Sequence, residues 1–370
     1  MRRVILAVNA GSSSLKFALF DIAASGGLQK IAHSSWGPGD IGVAADRLLD
    51  WVEHHIGDRE LHAVGHRIVH GGPMFNDAVE VDDAVLIKLE ALTPLAPLHQ
   101  PGGLAHILRF RELRPDLPQF ACFNTAFHRT IAPPASQYAL PRSMEAHGIR
   151  RYGFHGLSYE SIAEQLRAIG ADIHDGRPSK IIVAHLGSGA SLCAMLGLKS
   201  VDTTMGFSVL DGLVMGTRPG SLDPGILLYL LKETGMSVED LGHMLYRESG
   251  LLGLSGISGD VAVLLESAAR EAADALEVFA FQVARHAAAL AATLGGVDRI
   301  VFTGGIGEHA AAVVQKITQR LEWLGAALDE RANESNVTLI SASSSSVILE
   351  RRRTEEELAI ARRVSQRLTP

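Results

Sequence analysis

Two stretches of the chain repeat one pattern of apolar and polar positions. In the first, an apolar run from Val4 stops at Asn9, turns through Gly11, Ser12, Ser13 and Ser14, and resumes at Leu15 to reach Asp21. In the second, Lys180 to Leu196, an apolar run ends at His185, Leu186, Gly187 and Ser188, then continues through Gly189, Ala190 and Ser191 into another apolar run. Each reads as strand, tight polar turn, strand. A turn of Gly and Ser aims backbone N–H groups and hydroxyls at one point, which suits phosphate oxygens. Lys16 adds a point charge just past the first turn. One such turn alone is an ordinary hairpin. Its return in the second half predicts a duplicated domain with one phosphate turn per half.

The rest of the pattern fills in around these hairpins. A soft, Gly-containing region to about Gly42 precedes a helix from Val43 to about His55, and His62 to Gly72 reads as a strand carrying Arg67 among apolar neighbours. Val81 to Leu92 is a helix, Thr93 to Gly103 a Pro-punctuated loop, and Leu104 to about Leu113 a second helix. Gln119 to Thr130 is a buried strand emerging at Asn124 and Thr125. Arg151 to Leu166 is a glycine loop followed by a helix capped by Ser158, with Ser161 as the alternative start. Ser200 to Gly225 is dense in glycine, has no steady period, and holds Asp202, Asp211, Arg218 and Asp223. Such a segment is costly to order unless it builds a site. Ala-rich helices run from Val261 to Leu294. After them a strand feeds a glycine turn, Thr303 to Gly307, and then a helix N-terminus, a third place for anionic or nucleotide atoms. A last helix runs from Glu355 to about Leu368.

At 370 residues, with 47% apolar and 20% charged residues, the chain has material for two domains with proper cores. A formal net charge of −7 without a long basic block argues against nucleic acid as a partner. Arg351 to Arg353 are followed by three glutamates and read as a solvated helix start. Cys122 and Cys193 sit in apolar contexts without paired spacing, which fits buried thiols in a reducing, cytoplasmic setting. The Ala-rich stretch is broken by Glu266, Arg270, Glu271, Asp274, Glu277, Arg285 and His286, so no membrane span is expected there.

Jointly the motifs resemble one family. NAGSSSLKF, GHRIVHGG, APLHQPGG, NTAFHRT, YGFHGLS, HLGSGAS, DTTMGFSVLDGLVMGTRPGSLDP, FTGGIGEH and TEEELAIAR look like acetate kinase, in that order and from Val4 to the last helix. The resemblance implies an α/β fold, the duplicated actin/sugar-kinase/Hsp70-like type, with a mixed sheet and flanking helices in each of two domains and nucleotide in the interdomain cleft. The domains implied are residues 1–124 plus 357–370, and 125–356. The implied reaction is reversible transfer of the ATP γ-phosphoryl to acetate, or to another short carboxylate such as propionate or butyrate. Phosphoryl transfer asks for positioning and charge neutralisation. The resemblance gives the cationic clamp to Arg67 and Arg218, whose planar forks each bind two oxygens. It gives transition-state donation to His155 and weaker roles to His99 and His185. Magnesium, with manganese as an alternative, is implied at Asn9 and Glu356. Ser12, Ser14 and Lys16 are implied at the phosphates from one side, and His185, Leu186, Gly187, Ser188 and Gly189 from the other. Asp260 with Val261, and Gly304, Gly305, Ile306, Gly307 and Glu308, match the segments that hold adenosine. Val69, Leu98, Phe154 and Val209 match the acyl pocket, although the same four read equally as plain core. A homodimer is implied, with the Ala-rich helices offering a face.

The chain departs from the family pattern at Asn124, where the family has Asp as a catalytic acid. Asn keeps the shape and hydrogen bonding but carries no charge and exchanges no proton. Two expectations compete: a catalytically impaired nucleotide-binding homologue, or a slow but measurable kinase, since acetate is already ionised at neutral pH and needs no general base. Ser188 replaces a usual Asn, Val209 a usual Pro, and Ala262 a usual Arg.

Overall fold

The computed structural model describes residues 2–11, 14–23, 27–37 and 44–368. Its contacts divide the chain into two units. The first holds Met1–Arg129, Phe154–Ser161 and Glu355–Pro370, and the second Thr130–Gly153 and Ile162–Thr354.

In the first unit the strands are β1 (Arg3–Ala10), β2 (Leu15–Ile22), β3 (Leu28–Trp36), β4 (Glu60–Ile68), β5 (Val79–Glu80) and β6 (Gln119–Phe123). They form one sheet in the order β3-β2-β1-β4-β6-β5. β1 runs antiparallel to β2 and parallel to β4, and β4 runs parallel to β6. Both faces of β1 are covered, which is why its apolar run has no polar alternation. Val4, Leu6 and Val8 pack with Leu48, Val52 and Phe110 of α1 (Ala44–Ile56) and α3 (Gln100–Leu113). Ile5 and Ala7 pack with Ala359, Ile360 and Val364 of the C-terminal helix, Glu356–Leu368. A Cβ at Gly65 of β4 would lie 2.5 Å from Ile360 and 2.7 Å from Val364, so the missing side chain is what lets that helix seat. Between β5 and α3 runs α2 (Asp83–Glu90), capped by Asp82, whose side chain accepts from the Val85 N–H.

In the second unit β7 (Lys180–Leu186), β8 (Ala190–Leu196), β9 (Lys199–Thr203), β10 (Arg299–Thr303) and β11 (Ile348–Arg351) form a sheet in the order β9-β8-β7-β10-β11. β7 runs antiparallel to β8 and parallel to β10, and β10 parallel to β11. Order and strand directions repeat those of β3-β2-β1-β4-β6, so the duplication predicted from the two hairpins is present in the topology. The Ala-rich stretch is two helices, Val261–Glu266 and the 25-residue Arg270–Leu294, the second stopped by Gly295 at φ +66°. No helix among the described residues is long and apolar enough to cross a membrane.

Four expectations fail, each for a physical reason. The soft region before Gly42 contains β3, an edge strand whose partly exposed faces leave no apolar alternation to detect. α3 begins at Gln100, inside the Pro-punctuated loop, because Pro101 fits the first helical turn, where its missing N–H is not needed. The helix α4 (Gly156–Ala168) starts before Ser158, and Ser161 is used otherwise, its hydroxyl accepting from the Glu355 N–H at 2.8 Å. Arg351 is not at a solvated helix start. It ends β11 at 5% exposure and donates from Nη1 to the Asn333 carbonyl at 2.8 Å.

Candidate active site

In the first unit the polar turn is tight: the Gly11 N–H donates to the Ser14 carbonyl at 2.8 Å. Ser12 lies outside the described residues, Ser14 is half-buried, and Lys16 is exposed on β2. At the end of β1, Asn9 is buried, and its Nδ2 donates to Glu356 Oε2 at 3.0 Å and to Glu357 Oε1 at 2.8 Å. The sequence pointed to Glu356 and missed Glu357. Both sit in the first turn of the C-terminal helix, and only the packing of that helix under β1 shows that both reach the amide.

Arg67 sits one residue before the end of β4, beside the turn. Its Nη1 donates to the Ala10 carbonyl at 2.8 Å. A Cβ at Gly11 would stand 3.8 Å from the same Nη1, so backbone without a side chain faces the guanidinium. The Asn124 carboxamide, turned with its oxygen toward Arg67, accepts from Nη2 at 2.9 Å and from Nε at 3.0 Å. Asn124 is itself pinned by its backbone. Its N–H donates to the Ile68 carbonyl at 3.0 Å, and its carbonyl accepts from the Gly156 N–H at 2.9 Å. Gly156 must be glycine, because a Cβ there would lie 2.1 Å from the Asn124 oxygen.

His155 precedes that glycine with φ at +56°, a left-handed conformation that a residue with a side chain adopts at a cost of about 1 kcal/mol. Its carbonyl accepts from the Tyr159 N–H, opening α4. On its other side Phe154 is 1% exposed and its carbonyl accepts from Nε2 of His128 at 2.9 Å. Burial lowers the His128 pKa to about 4, so the ring stays neutral and serves as a fixed donor. Sequence reading gave His128 no role. The acyl-pocket candidates of this unit differ among themselves: Val69 and Phe154 are buried, whereas Leu98 is 47% exposed. His99 is half-buried and precedes α3 without capping it through its side chain.

In the second unit, backbone contacts at glycines join four of the predicted segments. The turn after β7 closes with the Gly187 N–H on the Gly189 carbonyl at 3.1 Å, and His185 pairs with Ser191 across the hairpin. Exposed Ser188 accepts from the Gly216 N–H at 3.0 Å, which ties the turn to the segment carrying Arg218. A Cβ on Gly259 would lie 2.7 Å from the Gly216 oxygen, which brings in the segment of Asp260 and buried Val261. Gly304, at φ +78°, leaves no room for a Cβ, which would stand 2.6 Å from the Leu186 oxygen. Arg218 is half-buried and donates from Nη1 to the carbonyl of Val209, whose side chain is buried. Asp260 caps the helix Val261–Glu266, accepting from the Ala262 N–H at 2.9 Å.

At the third predicted place the strand β10 feeds a helix directly, and Gly304, Gly305, Ile306, Gly307 and Glu308 are themselves helical, within Gly304–His309. Glu308 folds back so that its Oε1 accepts from the Gly304 N–H at 3.1 Å, which occupies that one donor of the helix N-terminus. Among the described residues no group of three or more His, Cys, Asp or Glu side chains could hold a metal ion; at the end of β1 two carboxylates, Glu356 and Glu357, meet the Asn9 amide.

Comparison with known proteins agrees along the whole chain. The profile of the acetokinase family matches residues 38–362. An acetate kinase of Rhodopseudomonas palustris is 46% identical over 98% of both chains, and one of Rhizobium meliloti 43% identical over 97% of this chain and 96% of its own. Among solved structures, a propionate kinase from Francisella tularensis superposes with a TM-score of 0.85 at 35% identity over 98% of each chain. Porphyromonas gingivalis acetate kinase does so with 0.83 at 31% identity, over 99% of this chain and all of its own. On the extent and level of these matches, the chain belongs to the acetokinase family.

Proposed function

We propose that the chain transfers the γ-phosphoryl group of ATP reversibly to a short-chain carboxylate, acetate first and propionate next, by direct in-line attack, giving an acyl phosphate and ADP. The observation that carries this reading is the union of the Gly/Ser turn with a guanidinium: Arg67 bonds the Ala10 carbonyl and lies against Gly11. A turn that suits phosphate oxygens and a cation that suits a carboxylate or a moving phosphoryl group share one end of β1.

The first unit supplies the turn with Ser12, Ser14 and Lys16 for nucleotide phosphates, Arg67 for the carboxylate, and His155 as donor to the transferring oxygens. Val69, Leu98 and Phe154 line the acyl group. The second unit supplies the turn His185 to Gly189, Arg218 as the other half of the clamp, Val209 toward the acyl group, and Asp260, Val261 and the segment Gly304 to Glu308 toward adenosine. Attack needs no base on the protein, because the carboxylate is ionised at neutral pH. That is compatible with an uncharged carboxamide at Asn124. Closure around the reactants would keep water from taking the phosphoryl group.

Magnesium fits the donor set at the end of β1. Glu356 and Glu357 share one amide donor, Lys30 pairs with Glu355 instead, and the carboxylate and amide oxygens are hard ligands. Bound there, the ion would neutralise charge on the nucleotide phosphates. A second copy of the chain would pack on the Ala-rich helix Arg270–Leu294, which leaves Val278 and Phe281 36% and 50% exposed. Two buried free thiols, Cys122 and Cys193, fit the cytoplasm.

A hydroxylamine trap run with ATP, Mg2+ and a panel of acetate, propionate and butyrate tests the reading. Hydroxamate should form with acetate or propionate, and the order of rates assigns the acid. Absence of hydroxamate with every acid, in a protein that binds ATP, would refute it.

A further inference from the structure

We infer that Asn124 sets the anion affinity of the site by holding Arg67 without neutralising it. The inference rests on the proposed kinase reading for its biological meaning and on the surroundings of Arg67 for its physics. Every hydrogen bond of Arg67 among the described residues goes to an uncharged acceptor: Nη1 to the Ala10 carbonyl, and Nη2 with Nε to the Asn124 carboxamide oxygen. No carboxylate pairs with it there. Three of its five N–H groups are thereby spent on orientation, and one each on Nη1 and Nη2 remains for a ligand. Asn124 is 2% exposed and pinned through its backbone at Ile68 and Gly156, so the guanidinium has a rigid seat.

A carboxylate in the same place would hold the guanidinium by the same geometry while cancelling much of its charge. An incoming carboxylate or phosphoryl group would then meet a neutral pair in place of a cation. The amide oxygen is consumed by Arg67, so the amide nitrogen is the polar atom Asn124 has left, and it is a donor. Seat and charge together favour multiply charged anions, the phosphoryl end of an acyl phosphate above the acid.

The test is calorimetric titration of the full chain with inorganic phosphate at low and high ionic strength, beside steady-state kinetics for the acid. Asn124→Asp should weaken phosphate binding about tenfold at low salt, with the gap narrowing as salt is added, and should raise KM for the acid. In an Arg67→Ala background the Asn/Asp difference should vanish. Equal affinity of wild type and Asn124→Asp, or the same difference with and without Arg67, overturns the inference. Should the Asp variant not fold, the wild type alone decides: phosphate affinity that does not fall with salt overturns it as well. Hydroxamate formation with no Asn/Asp difference in phosphate affinity defeats this inference alone. The predicted affinity order without any hydroxamate defeats the kinase reading and leaves this one standing.

Discussion

His155 combines the transition-state role proposed for it with an unfavourable backbone. At φ +56° it sits between buried Phe154, anchored through its carbonyl by His128, and Gly156, anchored on Asn124. Neighbours on both sides hold the backbone at His155, and the proposed donor role of the imidazole would account for a side chain there. Removing it by His155→Ala should lower kcat roughly a hundred- to a thousandfold in the hydroxamate assay. His155→Gly should lose as much activity yet match or exceed the wild type in thermal stability, because glycine adopts that φ without cost. A Gly variant less stable than the Ala variant would contradict the strain argument. For Asn124→Asp we expect turnover to rise several-fold, since a carboxylate can orient substrate or a metal-bound water and would grip a charged product less. An unchanged or lower turnover would contradict that. At this scale the sequence named Asn9, Arg67, Asn124, His155 and Glu356 through motif resemblance, because each lies in a short run with its own spacing. Glu357, His128 and Gly156 were illegible. Their roles come from a helix, a carbonyl and a backbone oxygen that lie far along the chain or carry no side-chain signal.

Among the elements, the C-terminal helix matters most, because it delivers Glu356 and Glu357 to Asn9. It seats against Gly65, and a methyl added there would drive into Ile360 and Val364. Gly65→Ala should destabilise the protein by about 1–3 kcal/mol and weaken Mg2+ dependence of the rate, with Arg67 chemistry otherwise intact. Denaturant titration and a Mg2+ titration of the rate check the two parts, and a variant with unchanged Mg2+ dependence would detach the helix from the metal. Apolar runs covered on both faces, such as β1 and β7, were readable without tertiary knowledge. The edge strands β3 and β9 were not, because partial exposure erases alternation, and α3 was hidden by a proline that reads as a breaker anywhere but the first turn.

Taken whole, the molecule has four buried histidines in its first unit that do not take up protons easily. Burial lowers the pKa of His66 to about 3 and those of His70 and His128 to about 4, and it lowers that of His106 as well. Below pH 6.5 the unfolded chain binds protons at these positions while the folded chain does not. Stability should therefore hold above pH 6.5 and fall as pH drops toward 4, by roughly 1.4 kcal/mol per pH unit for each of His66, His70 and His128, with His106 adding in the same direction. Urea unfolding across pH 4.5 to 7.5 checks the slope, and stability independent of pH in that window would contradict it. The repeated strand order was legible because the hairpin pattern recurs in sequence. The return of the C-terminal helix to the first unit was implied by the motif resemblance, whereas that of Phe154–Ser161 is set by contacts that no local pattern encodes. Enzymatic synthesis of ATP from ADP and acetyl phosphate puts the central claim to its most direct test. The wild type should make ATP in a Mg2+-dependent reaction, and Arg67→Ala and Arg218→Ala, each still folded, should lose nearly all of it. Wild-type protein that makes no ATP, or folded arginine variants that make it as fast, would contradict the account.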